Sequence, residues 1–122
     1  MSRIICLSYK DSNNEHISIE LEFYQETLGG QSTSRRFWSL PILRDFGITK
    51  LTELGISDLV YFTGWEEIPQ LENEINLLIK CRPKIDFEPS HRLDEWIKNL
   101  VNGVKLLKEK CPDGCLPEFS IG

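Results

Sequence analysis

The chain has 122 residues, 40% of them hydrophobic and 27% charged, and carries a net charge of −5. That is enough chain for one domain with a core of its own, and the acidic balance argues against a general binder of nucleic acid or anionic membranes. The N-terminal MSRIICLSYK lacks the basic start and long apolar run of a secretory signal, and no stretch is apolar enough for a membrane span, so a cytoplasmic protein is expected.

Residues 3–10 and 16–24 alternate as two strands around the polar DSNNE, which predicts a hairpin. Pairing Lys10 with His16 continues as Tyr9 with Ile17, Leu7 with Ile19, Ile5 with Leu21 and Arg3 with Phe23. Nearly all apolar side chains then share one face, leaving Ser8, Ser18, Glu20 and Glu22 on the wet one. Residues 25–34 read as a loop punctuated by Gly29-Gly30; the Gly-Lys-Ser/Thr ending of a phosphate loop is missing. Residues 36–40 suggest a third strand. Pro41 then opens a helical turn stopped by Gly47, and residues 48–55 form another, with Thr49 as cap and Leu51 and Leu54 inward.

Residues 57–63, SDLVYFT, are apolar on both faces and predict a strand in the middle of the sheet. Thr63 and Glu66 have capping-box spacing, and Pro69 splits a first turn at 65–68 from a main helix over 69–81. Leu71, Ile75, Leu78 and Ile79 form that helix's apolar face. Residues 82–89, with two prolines, connect to the longest amphipathic run, 90–111. Ser90 is its cap, and Leu93, Trp96, Ile97, Leu100, Val101, Val104, Leu107 and Cys111 share one face. PDG stops this helix, and residues 115–122 read as a tail that docks through Leu116, Phe119 and Ile121. The fold class expected is α+β: a mostly antiparallel sheet, made of the N-terminal hairpin plus a central strand near 57–63, with helices at about 69–81 and 90–111 packed on one face.

Chemistry is sparse. Cys111 and Cys115 form C-x3-C, but Cys111 lies at a helix C-terminus, where the dipole opposes a thiolate, and on the core face. With Cys6 and Cys81 there are four cysteines and only His16 and His91 to help them, so no metal site, cofactor or disulfide framework is expected. No Gly-x-Ser-x-Gly elbow is present, and no catalytic residue is nominated. Arg35-Arg36-Phe37-Trp38 mixes cations with aromatics as single-strand binders do, but strand residues with core-facing rings explain it equally well.

The remaining candidates are Trp65, Glu66, Glu67, Glu72 and Glu74, in a window without a positive charge. Read functionally, this is an acidic surface with a Trp anchor that suits a basic protein partner. Read structurally, Glu66 and Glu67 favour the helix dipole, Glu72 belongs to an outer face and Trp65 is core. The stretch LVYFTGWEEIPQLENEINLLI, about a sixth of the chain, resembles small uncharacterised bacterial proteins, some of them toxin-immunity proteins. That resemblance implies a compact acidic α+β protein that blocks a cognate toxin without catalysis or cofactor. Three readings follow: a non-enzymatic protein-binding domain, a small enzyme whose Glu20, His16 or Cys6 converge only in the fold, and a homodimer paired through a sheet edge.

Overall fold

A computed structural model describes residues 2–88 and 90–122. Strand β1 (Ser2–Lys10) pairs with β2 (His16–Ile19) in the expected register, Lys10 opposite His16, Tyr9 opposite Ile17 and Leu7 opposite Ile19. The Asp11 carboxylate closes the turn by accepting the N–H groups of Asn13 and Glu15 at 2.9 and 3.0 Å.

The hairpin stops there, and the expected pairs Ile5–Leu21 and Arg3–Phe23 do not form. The chain instead makes a helical turn, α1 (Phe23–Glu26), and a short strand β3 (Thr27–Gly30) that pairs with the start of β1, Ser2 opposite Gly30 and Ile4 opposite Thr27. Helix α2 (Gln31–Trp38) follows, so neither the loop expected at 25–34 nor the strand expected at 36–40 exists. The reason is burial. Leu28, Phe37 and Trp38 are all in the core, and at about 1.5–3 kcal/mol for each such side chain this outweighs the weak helix preference of Ser, Thr and Gly. The side chain of Arg3 is drawn inward too, donating from Nη1 to the Leu54 carbonyl at 2.7 Å.

Helix α3 (Pro41–Asp45) starts at its proline, and Gly47 past its end has φ +95°, as the sequence suggested. A 3-10 helix over Leu51–Gly55 buries Leu51 and Leu54 as expected. Strand β4 (Val60–Thr63) is shorter than predicted and sits at the edge of the sheet, with only Val60 and Phe62 buried. The central position belongs to β5 (Leu116–Ile121), the segment expected to be a docking tail. The strand order is β2-β1-β5-β4, with Leu7 opposite Phe119 and Phe119 opposite Phe62.

Helix α4 (Gly64–Cys81) runs unbroken through Pro69, and α5 covers Ser90–Lys110. Pro69, at the sixth position, gives no bond to the Trp65 carbonyl and crowds it, yet the break expected before it does not occur; Ile68 and Leu71, buried on either side, keep both halves on the sheet. Ser90, expected as the cap of α5, is instead its first helical residue. Leu93, Trp96, Leu100, Val104 and Leu107 are buried as predicted, but Val101 and, on α4, Ile79 lie exposed at the margins of their stripes. At Gly103 helix α5 crosses β5 so closely that a Cβ would stand 2.8 Å from the Phe119 ring. Both long helices cover one face of the sheet, and Cys6, Ser18, Tyr61, Thr63 and Leu116 lie exposed on the other. The architecture is thus a two-layer α+β fold with an antiparallel sheet, as predicted.

Candidate functional site

The five residues nominated from sequence do not form one acidic face. Trp65, 42% exposed, Glu66 and Glu67 cluster at the start of α4, where the helix dipole favours the two carboxylates. Glu67 Oε1 accepts the Thr63 N–H at 2.7 Å and Oε2 meets Lys50 Nζ at 3.1 Å. Glu67, not Glu66, therefore completes the cap. The Thr63 amide, and after it Lys50, holds the Glu67 carboxyl below the usual glutamate range. Glu72 lies farther along and pairs with Lys108 on α5 at 2.6 Å. Glu74, at 2% exposure, points inward. Its carboxylate accepts the Leu51 and Lys50 N–H groups at 2.9 and 3.2 Å and the Gln70 amide at 3.2 Å, capping the 3-10 helix where Thr49 was expected to. What stays open is Trp65 with Glu66.

The residues of the enzyme reading meet only in part. Cys6, Glu20 and Glu26 line a shallow depression of about 250 Å³ beside Ile5 and Leu21. His16, at the hairpin mouth, is not among its lining residues. Partial desolvation, and then the Glu26 carboxylate, push the Cys6 thiol up, against a smaller opposing bond from Ser120. This is the opposite of a thiolate-activating environment. Burial likewise pushes the Cys81 and Cys111 thiols up, and among the described residues no three His, Cys, Asp or Glu side chains converge as a metal site would require.

The outer edge of β4 is largely spoken for. Ser57 Oγ accepts the Leu59 N–H at 3.4 Å and donates to the Leu59 carbonyl at 3.1 Å, while Glu67 holds the Thr63 N–H. Backbone groups two residues apart on a strand point the same way, so among the described residues this edge of the sheet leaves little more than Tyr61 for a second copy to pair with, and β2 forms the other edge.

A cleft of about 670 Å³ lies between α1–β3 and the first half of α5. Its volume falls within the range of pockets that hold small ligands or anchor side chains. Phe23 and Tyr24 line it at 74% and 70% exposure, an unusual state for adjacent large aromatics. The helix contributes Arg92, Glu95, Lys98, Asn99 and Asn102, a polar stripe at three- and four-residue spacing beside its buried stripe. Asn99 Nδ2 donates to the Thr27 carbonyl at 2.8 Å and ties β3 to the helix, while the buried Nδ2 of Asn102 has no acceptor among the described residues. Gly29 and Gly30 complete the lining. Gly29, at φ +87°, lies directly over the Trp96 ring, whereas no atom of the described residues comes within 4 Å of where a Gly30 Cβ would stand.

Sequence reasoning missed this cleft because Phe23 was assigned to a strand and Gly29-Gly30 to a plain loop. The adjacency of Phe23 and Tyr24 was the available signal, since an alternating strand buries only one of two neighbouring aromatics.

Comparison with protein-family models, with curated proteins and with solved structures finds no significant match. The site is read from its own chemistry.

Proposed function

We propose that this chain is a non-catalytic protein-binding module whose recognition surface is the cleft between α1 and α5, with Phe23 and Tyr24 as anchors. The observation that carries the reading is the pair of adjacent aromatics, each more than two-thirds exposed, on the wall of a ready-made concavity. Fully burying a phenylalanine side chain is worth about 1.5–3 kcal/mol, and most of that remains unrealised at Phe23 until a partner covers it. Neither a histidine nor a cysteine is among the lining residues. Inhibition of a toxin is the form of this activity that the resemblance over residues 59–79 implies. No helix among the described residues is long and apolar enough to cross a membrane.

The test compares wild type with Phe23→Ala/Tyr24→Ala and with Trp65→Ala/Glu66→Lys in tagged pull-downs from the native organism, with bound proteins identified by mass spectrometry. All four side chains are exposed, so each variant retains the wild-type fold. One stoichiometric partner, lost with the aromatic pair and kept by the other variant, is the expected result. A partner that survives loss of Phe23 and Tyr24 refutes the assignment. A partner lost only with Trp65 and Glu66 moves the surface to the start of α4, the second reading, which the half-exposed Trp65 favours.

A further inference from the structure

We propose that the partner offers the cleft an acidic segment bearing a large apolar side chain, which packs on Phe23 and Tyr24 while its carboxylates meet Arg92 and Lys98. This rests on the binding role proposed above for the same cleft. Four of the fourteen basic side chains of this acidic protein are paired with carboxylates among the described residues. Arg35 pairs with Asp58, Lys50 with Glu67, Arg82 with Asp94 and Lys108 with Glu72. Among the described residues, no carboxylate lies within 4 Å of Arg92 or Lys98, the two cations lining the cleft. Glu95, between them on the same face, has no basic partner within that distance among the described residues, and the cleft's lining side chains carry two positive charges against one negative. A protein of net charge −5 that keeps a locally positive cleft beside two exposed rings is matched by a ligand with the opposite arrangement, negative charge flanking an apolar group.

Two further features fit an extended peptide. The Asn102 Nδ2 donor is buried without an acceptor among the described residues, and a carbonyl or carboxylate oxygen from a ligand can supply one. At Gly30 the backbone is bare on the cleft side, so another chain can approach it closely. Gly30 also lines a second, open depression with Gln31, Ser32, Thr33 and Arg35 at the first turn of α2. A short segment therefore has room to run on from the aromatic wall.

The experiment is selection of a random dodecapeptide display library on the purified protein, with Gly30→Leu as the counter-selection. Gly30 has extended backbone (φ −62°, ψ 147°) and no atom of the described residues within 4 Å of its Cβ position, so leucine is accepted and adds bulk at the cleft wall. The expected winners place Asp or Glu beside an aromatic or large aliphatic residue. As synthetic peptides they shift the amide resonances of Gly29 and Gly30 and the side-chain amides of Asn99 and Asn102. They bind Arg92→Glu/Lys98→Glu at least about tenfold more weakly, by more at low salt than at high. Winners that are basic, or that are indifferent to charge reversal, overturn the acidic segment while leaving the cleft as a binding surface. Winners bound equally by Gly30→Leu and by Phe23→Ala/Tyr24→Ala overturn both readings, and so does a library that yields none. Arg92 and Lys98 are exposed, so unchanged amide spectra elsewhere in the charge-reversed protein are expected and separate lost binding from lost fold.

Discussion

Gly29 and Gly30 are neighbours in sequence, yet replacing each with alanine is expected to have opposite consequences. At Gly29 the backbone sits at φ +87°, where an L-residue costs about 1–2 kcal/mol. The new Cβ would stand 3.0 Å from Trp96 Cε2 and closer still to Cζ2, and Trp96 is a core residue that cannot swing away. Overpacking of that kind adds roughly 1–3 kcal/mol. Alanine also restricts the unfolded chain, which returns about 0.4–1 kcal/mol, so the net loss is about 2–4 kcal/mol. For a chain of this size each kcal/mol corresponds to roughly 3–6 °C, giving a fall in Tm on the order of 10–20 °C. Gly30→Ala meets neither obstacle and is expected to be neutral or to gain up to about 1 kcal/mol. Urea unfolding followed by tryptophan fluorescence, with thermal unfolding by circular dichroism, measures both. If Gly29→Ala lies within about 0.5 kcal/mol of wild type, or if the two variants fall together, the close approach of β3 to α5 described here is wrong.

Glu74→Ala leaves the Lys50 and Leu51 amides without their acceptor, and with hydrogen bonds to a charged group worth about 1.5–3 kcal/mol each, a loss near 3 kcal/mol or more is expected in the same urea assay. Glu66→Ala is expected to change little. Removing residues 116–122 takes out the strand between β1 and β4 together with Phe119 and Ile121; a chain ending at Cys115 should lack cooperative unfolding in calorimetry, whereas a docked tail would leave a folded remainder. Glu67 has a folded carboxyl held below the ordinary glutamate value, so its contribution is present above about pH 4.5 and is lost as pH falls through the lower folded value. The stability gap between wild type and Glu67→Gln should therefore close on acidification below that point, and a gap that stays constant down to about pH 3 contradicts the assignment.

The parts of the fold legible in sequence are those fixed by local periodicity. Alternation specified the hairpin register as far as Ile19, and the 3.6-residue period specified α5 almost to its ends. Strand β5 also alternates, with Pro117, Phe119 and Ile121 inward, but a short apolar segment after the PDG stop reads equally as a docking tail, and Pro117 is unusual inside a sheet. The structure resolves that conflict, since β4 pairs only residues 118–121 and the missing N–H of Pro117 interrupts no bond to it. The segment 27–38 was illegible for a different reason: its helix and strand are held by contacts of Leu28, Phe37 and Trp38 with residues far along the chain, including the edge-on packing of Phe37 against Trp96 at 5.6 Å. Glu74 was misplaced by composition. It shares the spacing of Leu71, Ile75 and Leu78, and that spacing, not its charge, determined where it points.

The exposure of Phe23 and Tyr24 goes with a rigid support. Helix α1 buries none of its residues, so packing does not hold it. Its conformation is fixed by reciprocal bonds between Gln25 and Glu22: the Glu22 N–H donates to Gln25 Oε1 and the Gln25 N–H to the Glu22 carbonyl, both at 2.9 Å. Immediately afterward β3 is pinned at Thr27 by Asn99 and at Gly29 by Trp96. Two aromatics carried on such a turn lose little further freedom when a partner covers them, which is where preorganised surfaces gain affinity. Gln25→Ala removes the side-chain acceptor while leaving both rings in place. It is expected to raise the mobility of residues 23–26 in amide relaxation measurements and to weaken partner binding several-fold, with the urea midpoint unchanged because nothing buried is touched. If mobility rises and affinity holds, the rings act as adaptable contacts and preorganisation is not what the turn provides.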